Sequence, residues 1–156
     1  MFLGAVALSA GLVSMAAFAG DKAGNIPFPG DFRGWTHTKS VVTTKADHPL
    51  HGFRNIYVND IGIQAMKTGG TYPDGSVIVM SFHKLVQQDS GLVQGGLIKY
   101  VLMQKDRKLT SSDGWAYEAY KAGEMKPLVG DKIVEKCHGC HTSKGKSDFV
   151  FSKYVQ

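Results

Sequence analysis

The chain has 156 residues, 43% of them hydrophobic and 20% charged, with a net charge of +5. That length supports one ordinary domain with its own core, and that balance excludes a disordered or fibrous chain. The lysines are scattered, with no basic run interleaved with aromatics, so a nucleic-acid-binding surface is not expected.

In chain order, "MFLGAVALSAGLVSMAAFAG" carries no charged residue before Asp21 and ends in the A-x-A pattern Ala17-Phe18-Ala19. It reads as a secretory signal spanning residues 1–19, without the usual basic start; a membrane anchor is the competing reading of the same stretch. Residues 20–156 then form a single domain, and no later apolar run is long enough to cross a bilayer. An exported, periplasmic location is the expectation.

"AGNIPFPGDFRGW" is a Pro/Gly-rich, irregular lead-in. "WTHTKSVVTT" is rich in Thr and Val and predicts a strand, broken at "KADHPLHG" by Pro49. "FRNIYVN" predicts a second strand, with Arg54, Ile56 and Val58 on one face and Phe53, Tyr57 and Asn59 on the other. "DIGIQAMKTGG" predicts a short helix, capped by Asn59 or Asp60 and ended by Gly69-Gly70. "YPDG" is a turn. "SVIVMSFHKL" follows as a central strand, apolar on both faces: Ile78, Met80 and Phe82 on one, Val77, Val79, His83 and Leu85 on the other. "QQDSGLVQGG" reads as a loop, "LIKYVLMQKD" and "GWAYEAYKAG" as strands, and "DKIVEKCHGCH" as a helix capped by Asp131. The fold class is α+β, predominantly β: an antiparallel sheet of roughly five strands with short helices, the last of them at the C-terminal end.

That helix carries the chain's two cysteines in the pattern C-x-x-C-H: Cys137, Cys140 and His141. On a helix, positions i, i+3 and i+4 share a face, so two thiols can reach the two vinyl groups of one haem while the adjacent imidazole reaches its iron. This is the attachment pattern of haem c, one per chain, with His141 as the proximal ligand. A structural zinc site wants a second ligand pair, which is missing. A thioredoxin-like pair belongs at the start of a helix, and a short-range disulfide remains the plainest alternative. Export favours haem. His138 reads as a solvent-facing spacer within the motif.

With these pieces in order, the chain resembles the cytochrome P-460 and cytochrome c′-β family. "GWTHTKS" and "FRNIYVND" are similar to its first two strands, "YPDGSVIVM" to its turn and central strand, "GWAYEAY" to a late strand, and "CHGCHTSKGKSDFVFSKY" to its haem segment. The resemblance implies a β-sheet homodimer with one covalent haem per subunit, ligated on one side by the motif histidine. One branch of the family oxidises hydroxylamine and carries a lysine–haem cross-link. The other has an apolar, aromatic-lined pocket and binds small gases such as nitric oxide and carbon monoxide.

Met80 occupies the position of the cross-linking lysine and cannot make that bond. Lys84 lies on the same face, but roughly 13 Å further along the strand. The strand that carries a carboxylate in the oxidising branch, "GGLIKYVLMQ" here, has no Asp or Glu. Arg54 does match an arginine of the oxidising branch, where it would orient an anion or a haem propionate; a surface strand charge is the alternative. Met80 has three readings: lining of an apolar pocket, sixth ligand to the iron, or plain core. Phe82 and Phe53 are candidate aromatic caps of the pocket. His37, His48, His51 and His83 are the other histidines that could compete for the iron.

The resemblance therefore favours an exported mono-haem cytochrome that binds nitric oxide or carbon monoxide. The alternatives are a hydroxylamine or nitric oxide oxidoreductase, and an electron carrier with Met80 ligated. A redox-partner cytochrome is a further expected partner, with no nucleic acid and no stable membrane span after signal removal.

Overall fold

A computed structural model describes residues 26–124, 126–128 and 131–155, without the side chains of Asp131 and Ile133. The proposed signal at residues 1–19 lies outside the described residues. Five strands form one antiparallel sheet in the order β1-β2-β3-β4-β5, each paired only with its neighbours in the chain. They are β1 (Thr36–Thr43), β2 (Gly52–Val58), β3 (Val77–Gln88), β4 (Gly91–Lys105) and β5 (Trp115–Lys121). Two α-helices, α1 (Ile63–Thr68) and α2 (Asp131–His141), complete the architecture with three short 3-10 turns.

The expected strand and helix positions hold, with one correction. "QQDSGLVQGG" is not a loop. The β3 and β4 strands continue through it as a two-stranded ribbon that turns at Asp89-Ser90, pairing Leu85 with Gln94, Val86 with Val93 and Gln87 with Leu92. This ribbon reaches past β2 and β5, so it buries neither face fully and its sequence lacks the alternation of a sheet interior. Helix α1 ends at Gly69, whose φ of 74° is the left-handed conformation that glycine adopts without a Cβ clash. At its start Asn59 acts from outside the helix: its Oδ1 accepts from the Gly62 and Val77 amides at 3.2 and 3.0 Å, tying helix entry to the first residue of β3.

Strand alternation divides the core in two. One face of the sheet, with Val79, Leu102, Ala116 and Tyr120, is covered by the lead-in residues Ile26, Phe28 and Phe32. Phe28 meets Tyr100 at 4.9 Å and Tyr120 at 5.3 Å between ring centres, Phe32 meets Tyr57 at 5.3 Å, and the Tyr120 hydroxyl donates to the Ile26 carbonyl. The lead-in is thus a packed lid. The other face, with Ile56, Val58, Ile78, Met103, Trp115 and Tyr117, is covered by α1, α2 and the C-terminal residues Phe149, Val150 and Tyr154. The attachment motif lies on this second face.

Candidate haem-binding site

Helix α2 packs along β5, and its stripe of Cys137, Cys140 and His141 is split by the contact. Cys137 is half-buried against the core cluster that also holds Met80, while Cys140 is exposed. Neither thiol is in a disulfide. Burial raises the Cys137 thiol above its ordinary value, and Lys99 opposes that shift. His141 closes the helix. Its ring sits edge-on to Tyr117 at 5.3 Å and to Phe151 at 4.9 Å. Its Nδ1 donates to the Phe149 carbonyl at 2.6 Å, which fixes the tautomer and leaves Nε2 unprotonated, with its lone pair available to a metal. Burial holds the imidazole below its ordinary 6.5, so it is neutral at neutral pH, as an iron ligand must be.

The acceptor for His141 could not be read from the motif, because it lies eight residues downstream at a special backbone position. Asp148 and Phe149 both have positive φ, 48° and 63°. This turns the chain back after the 3-10 segment Thr142–Ser147, and the Phe149 amide donates to the Lys144 carbonyl at 2.9 Å. Asp148 is anchored in turn. Its Oδ1 accepts from Lys105 Nζ at 2.7 Å, and its Oδ2 accepts from the Tyr72 amide at 2.8 Å. Lys105 is 4% exposed and lies 5.0 Å from the centre of the Trp115 ring.

His138 is not the solvent-facing spacer expected. Its side chain lies against β5, with Nε2 3.1 Å from Asp113 Oδ2 and Nδ1 3.4 Å from the Tyr117 hydroxyl. It follows Cys137 and precedes His141 by one helical turn, so a helix lying flat on the sheet turns it inward too.

On the sheet the register aligns three rows facing the motif. Val58, Ile78, Met103 and Tyr117 form the first; Ile56, Met80, Val101 and Ala119 the second; Arg54, Phe82, Lys99 and Lys121 the third. Met80 is thus an apolar residue in an apolar row. Phe82 is buried and shares its face, with Lys99 Nζ 5.3 Å from its ring centre. Phe53 pairs with His83 and lies on the opposite face, apart from Met80 and Phe82. Gly52 stands instead beside Phe82, and a Cβ there would meet that ring at 3.0 Å.

Arg54 is not a surface charge. It is 8% exposed, donates to Thr43 Oγ1 and has a buried Nε with no hydrogen-bond partner. Lys84 is exposed and falls at a register shift in β3. Lys99 was not singled out in the sequence. Its alternation within "LIKYVLM" and the β3–β4 register together would have placed it beside Phe82. His83 is buried on the far face, where Nδ1 donates to the Gly95 carbonyl and Nε2 accepts from Ser81. His37 is exposed, its ring tilted against Tyr57 at 5.1 Å, and His48 and His51 lie in the turn between β1 and β2.

The donor set fits a haem c and not a zinc ion. Two unpaired thiols and one imidazole with a free Nε2 share one helix end. Among the described residues no three His, Cys, Asp or Glu side chains are grouped to hold a metal ion. A helix bearing C-x-x-C-H, laid on one face of an antiparallel meander, is the arrangement of a β-sheet cytochrome. The Cytochrome P460 family model matches residues 29–152, and the chain belongs to that family. It is a haem c cytochrome of the P460/c′-β kind. No curated protein matches the chain.

Proposed function

We propose that this chain is an exported, periplasmic cytochrome with one covalently attached haem c per chain, and that it binds small gases, nitric oxide and carbon monoxide, on an apolar distal side. Cys137 and Cys140 would hold the vinyl carbons and His141 Nε2 the iron. The haem, once bound, supplies the ligand-binding and redox chemistry. This chain's residues supply a neutral, oriented imidazole on one side. On the other they supply a row that favours uncharged ligands.

The observation that carries the reading is the second row. Met80 sits among Ile56, Val101 and Ala119, with no lysine or carboxylate in that part of the face. Among the described residues the most deeply buried carboxylate is Glu118, opposite Leu102 on the far face, and on the near face the Asp148 carboxylate is taken up by Lys105 and the Tyr72 amide. Hydroxylamine oxidation, which wants a proton acceptor near the iron, is correspondingly less well supported. One feature favours that second reading: buried Arg54, with its unpartnered Nε one row from Met80, is built to meet an anionic group.

Absorption spectra of the purified holoprotein, oxidised and reduced, test these readings. High-spin bands with ready carbon monoxide uptake are expected. A strongly red-shifted reduced Soret band would instead mean a cross-linked haem. Low-spin bands with no carbon monoxide uptake would mean that Met80 is the sixth ligand, as in the electron-carrier reading.

A homodimer belongs to the same proposal. The projecting β3–β4 ribbon exposes Val86 and Leu92, and a two-stranded ribbon is marginal by itself. A second copy covering it would supply the missing burial. Light scattering on the holoprotein is expected to give twice the chain mass.

A further inference from the structure

The imidazole of His141 is oriented by a backbone carbonyl, and no substitution can remove a carbonyl. What holds that carbonyl in place is therefore the tunable part of the proximal side. Phe149 has φ 63°, a conformation that is unfavourable for a bulky L-residue and persists only where its surroundings impose it. The preceding residue, Asp148, is also left-handed and binds two groups from other parts of the fold and one from its own segment. Its carboxylate takes Lys105 Nζ at 2.7 Å and the Tyr72 amide at 2.8 Å, and its own amide donates to the Gly145 carbonyl at 3.1 Å.

Lys105 is the last residue of β4 and is itself fixed. Its Nζ also donates to the Asp113 carbonyl at 3.3 Å and lies over the Trp115 ring. Two consecutive left-handed residues, one clamped by a buried ion pair, set the direction of the next carbonyl. Val150 then enters the core and closes the other end of the segment.

We propose that Lys105 and Asp148 are positioning residues for the axial ligand. Their buried ion pair holds the Phe149 carbonyl on His141 Nδ1 and thereby sets the strength of the iron–histidine bond. This rests on His141 being the proximal ligand. A carbonyl that accepts fully from Nδ1–H makes the imidazole a stronger donor; a slackened one makes it weaker.

The test uses holoprotein carrying Lys105→Met with Asp148→Asn, and the milder Asp148→Asn alone. Asparagine tolerates the left-handed conformation and keeps an acceptor for the Tyr72 amide. Resonance Raman spectra of the ferrous protein read the iron–histidine stretch, and a redox titration reads the potential. In both variants the stretch is expected to move to lower wavenumber and the potential to rise, more in the double variant. A control, Leu102→Ala on the far face, is expected to lower the melting temperature with neither shift.

Melting temperatures that fall in the Asp148 variants while stretch and potential stay at wild-type values would overturn the proposal, leaving the ion pair a purely structural tie. Failure of the haem reading looks different: wild-type protein would then keep no haem mass after denaturation and would show no haem absorption bands.

Discussion

The two sides of the candidate haem site are built on opposite plans. On the helix side the charged and imidazole groups around the motif are paired. His141 Nδ1 meets the Phe149 carbonyl, Asp148 meets Lys105 and the Tyr72 amide, and His138 meets Asp113 and Tyr117. On the sheet side the row containing Met80 is apolar, and the next row holds a buried arginine with an unpartnered nitrogen. In the proposed function the first side would fix a permanent ligand, and the second, with its apolar row, would suit a surface that accepts and releases something small. Directional hydrogen bonds serve the first task and apolar packing the second.

The contrast can be broken most completely at the motif. Replacing both Cys137 and Cys140 with alanine is expected to abolish covalent haem, read as loss of the haem mass increment after denaturation. Retention of the increment would show that the thiols are not the attachment points. A large effect of another kind is expected on the far face. Leu102 is fully buried there, and Leu102→Ala should cost about 2–5 kcal/mol in denaturant unfolding, with unchanged absorption bands.

A smaller effect concerns His83, which burial holds below its ordinary 6.5. As pH falls below that value the unfolded chain takes up a proton that the native chain resists, so stability present above pH 6.5 is lost as pH drops toward the native value. The slope is bounded by about 1.4 kcal/mol per pH unit for one proton. His83→Gln should flatten it, as followed by melting temperature between pH 7 and pH 5, on the order of two units. Smallest of all is Met80→Leu, a volume-conserving change expected to cost under about 1.5 kcal/mol. It should leave the spin state and carbon monoxide uptake as they were. A switch from low-spin to high-spin bands in that variant would identify Met80 as an iron ligand.

Much of this architecture was legible in the chain because β alternation and turn chemistry are local signals. Val77 to Phe82 read as a central strand from residue type alone, and the motif helix ended where its spacing required. The ribbon at Gln87 to Gly96 reads as a loop because a strand pair without sheet neighbours has no buried face to write into the sequence. Phe53 and Phe82 looked equivalent until the register put them on opposite faces. The partner of His141 and the burial of Arg54 depended on contacts across the fold. Asp148 meets the Tyr72 amide from 76 residues away, a separation at which composition and spacing carry no information.

The plain meander of the sheet bears on the order of assembly. Because every strand pairs only with its chain neighbours, the sheet is complete at Lys121, before the segment beginning at Asp131 is reached. Pairing of this kind has low contact order, which favours fast folding, and it takes no strand from the C-terminal segment. That segment lies over the sheet as a separate layer, stitched to it through Asp148 and through the Val155 amide, which donates to the Thr38 carbonyl at 3.3 Å.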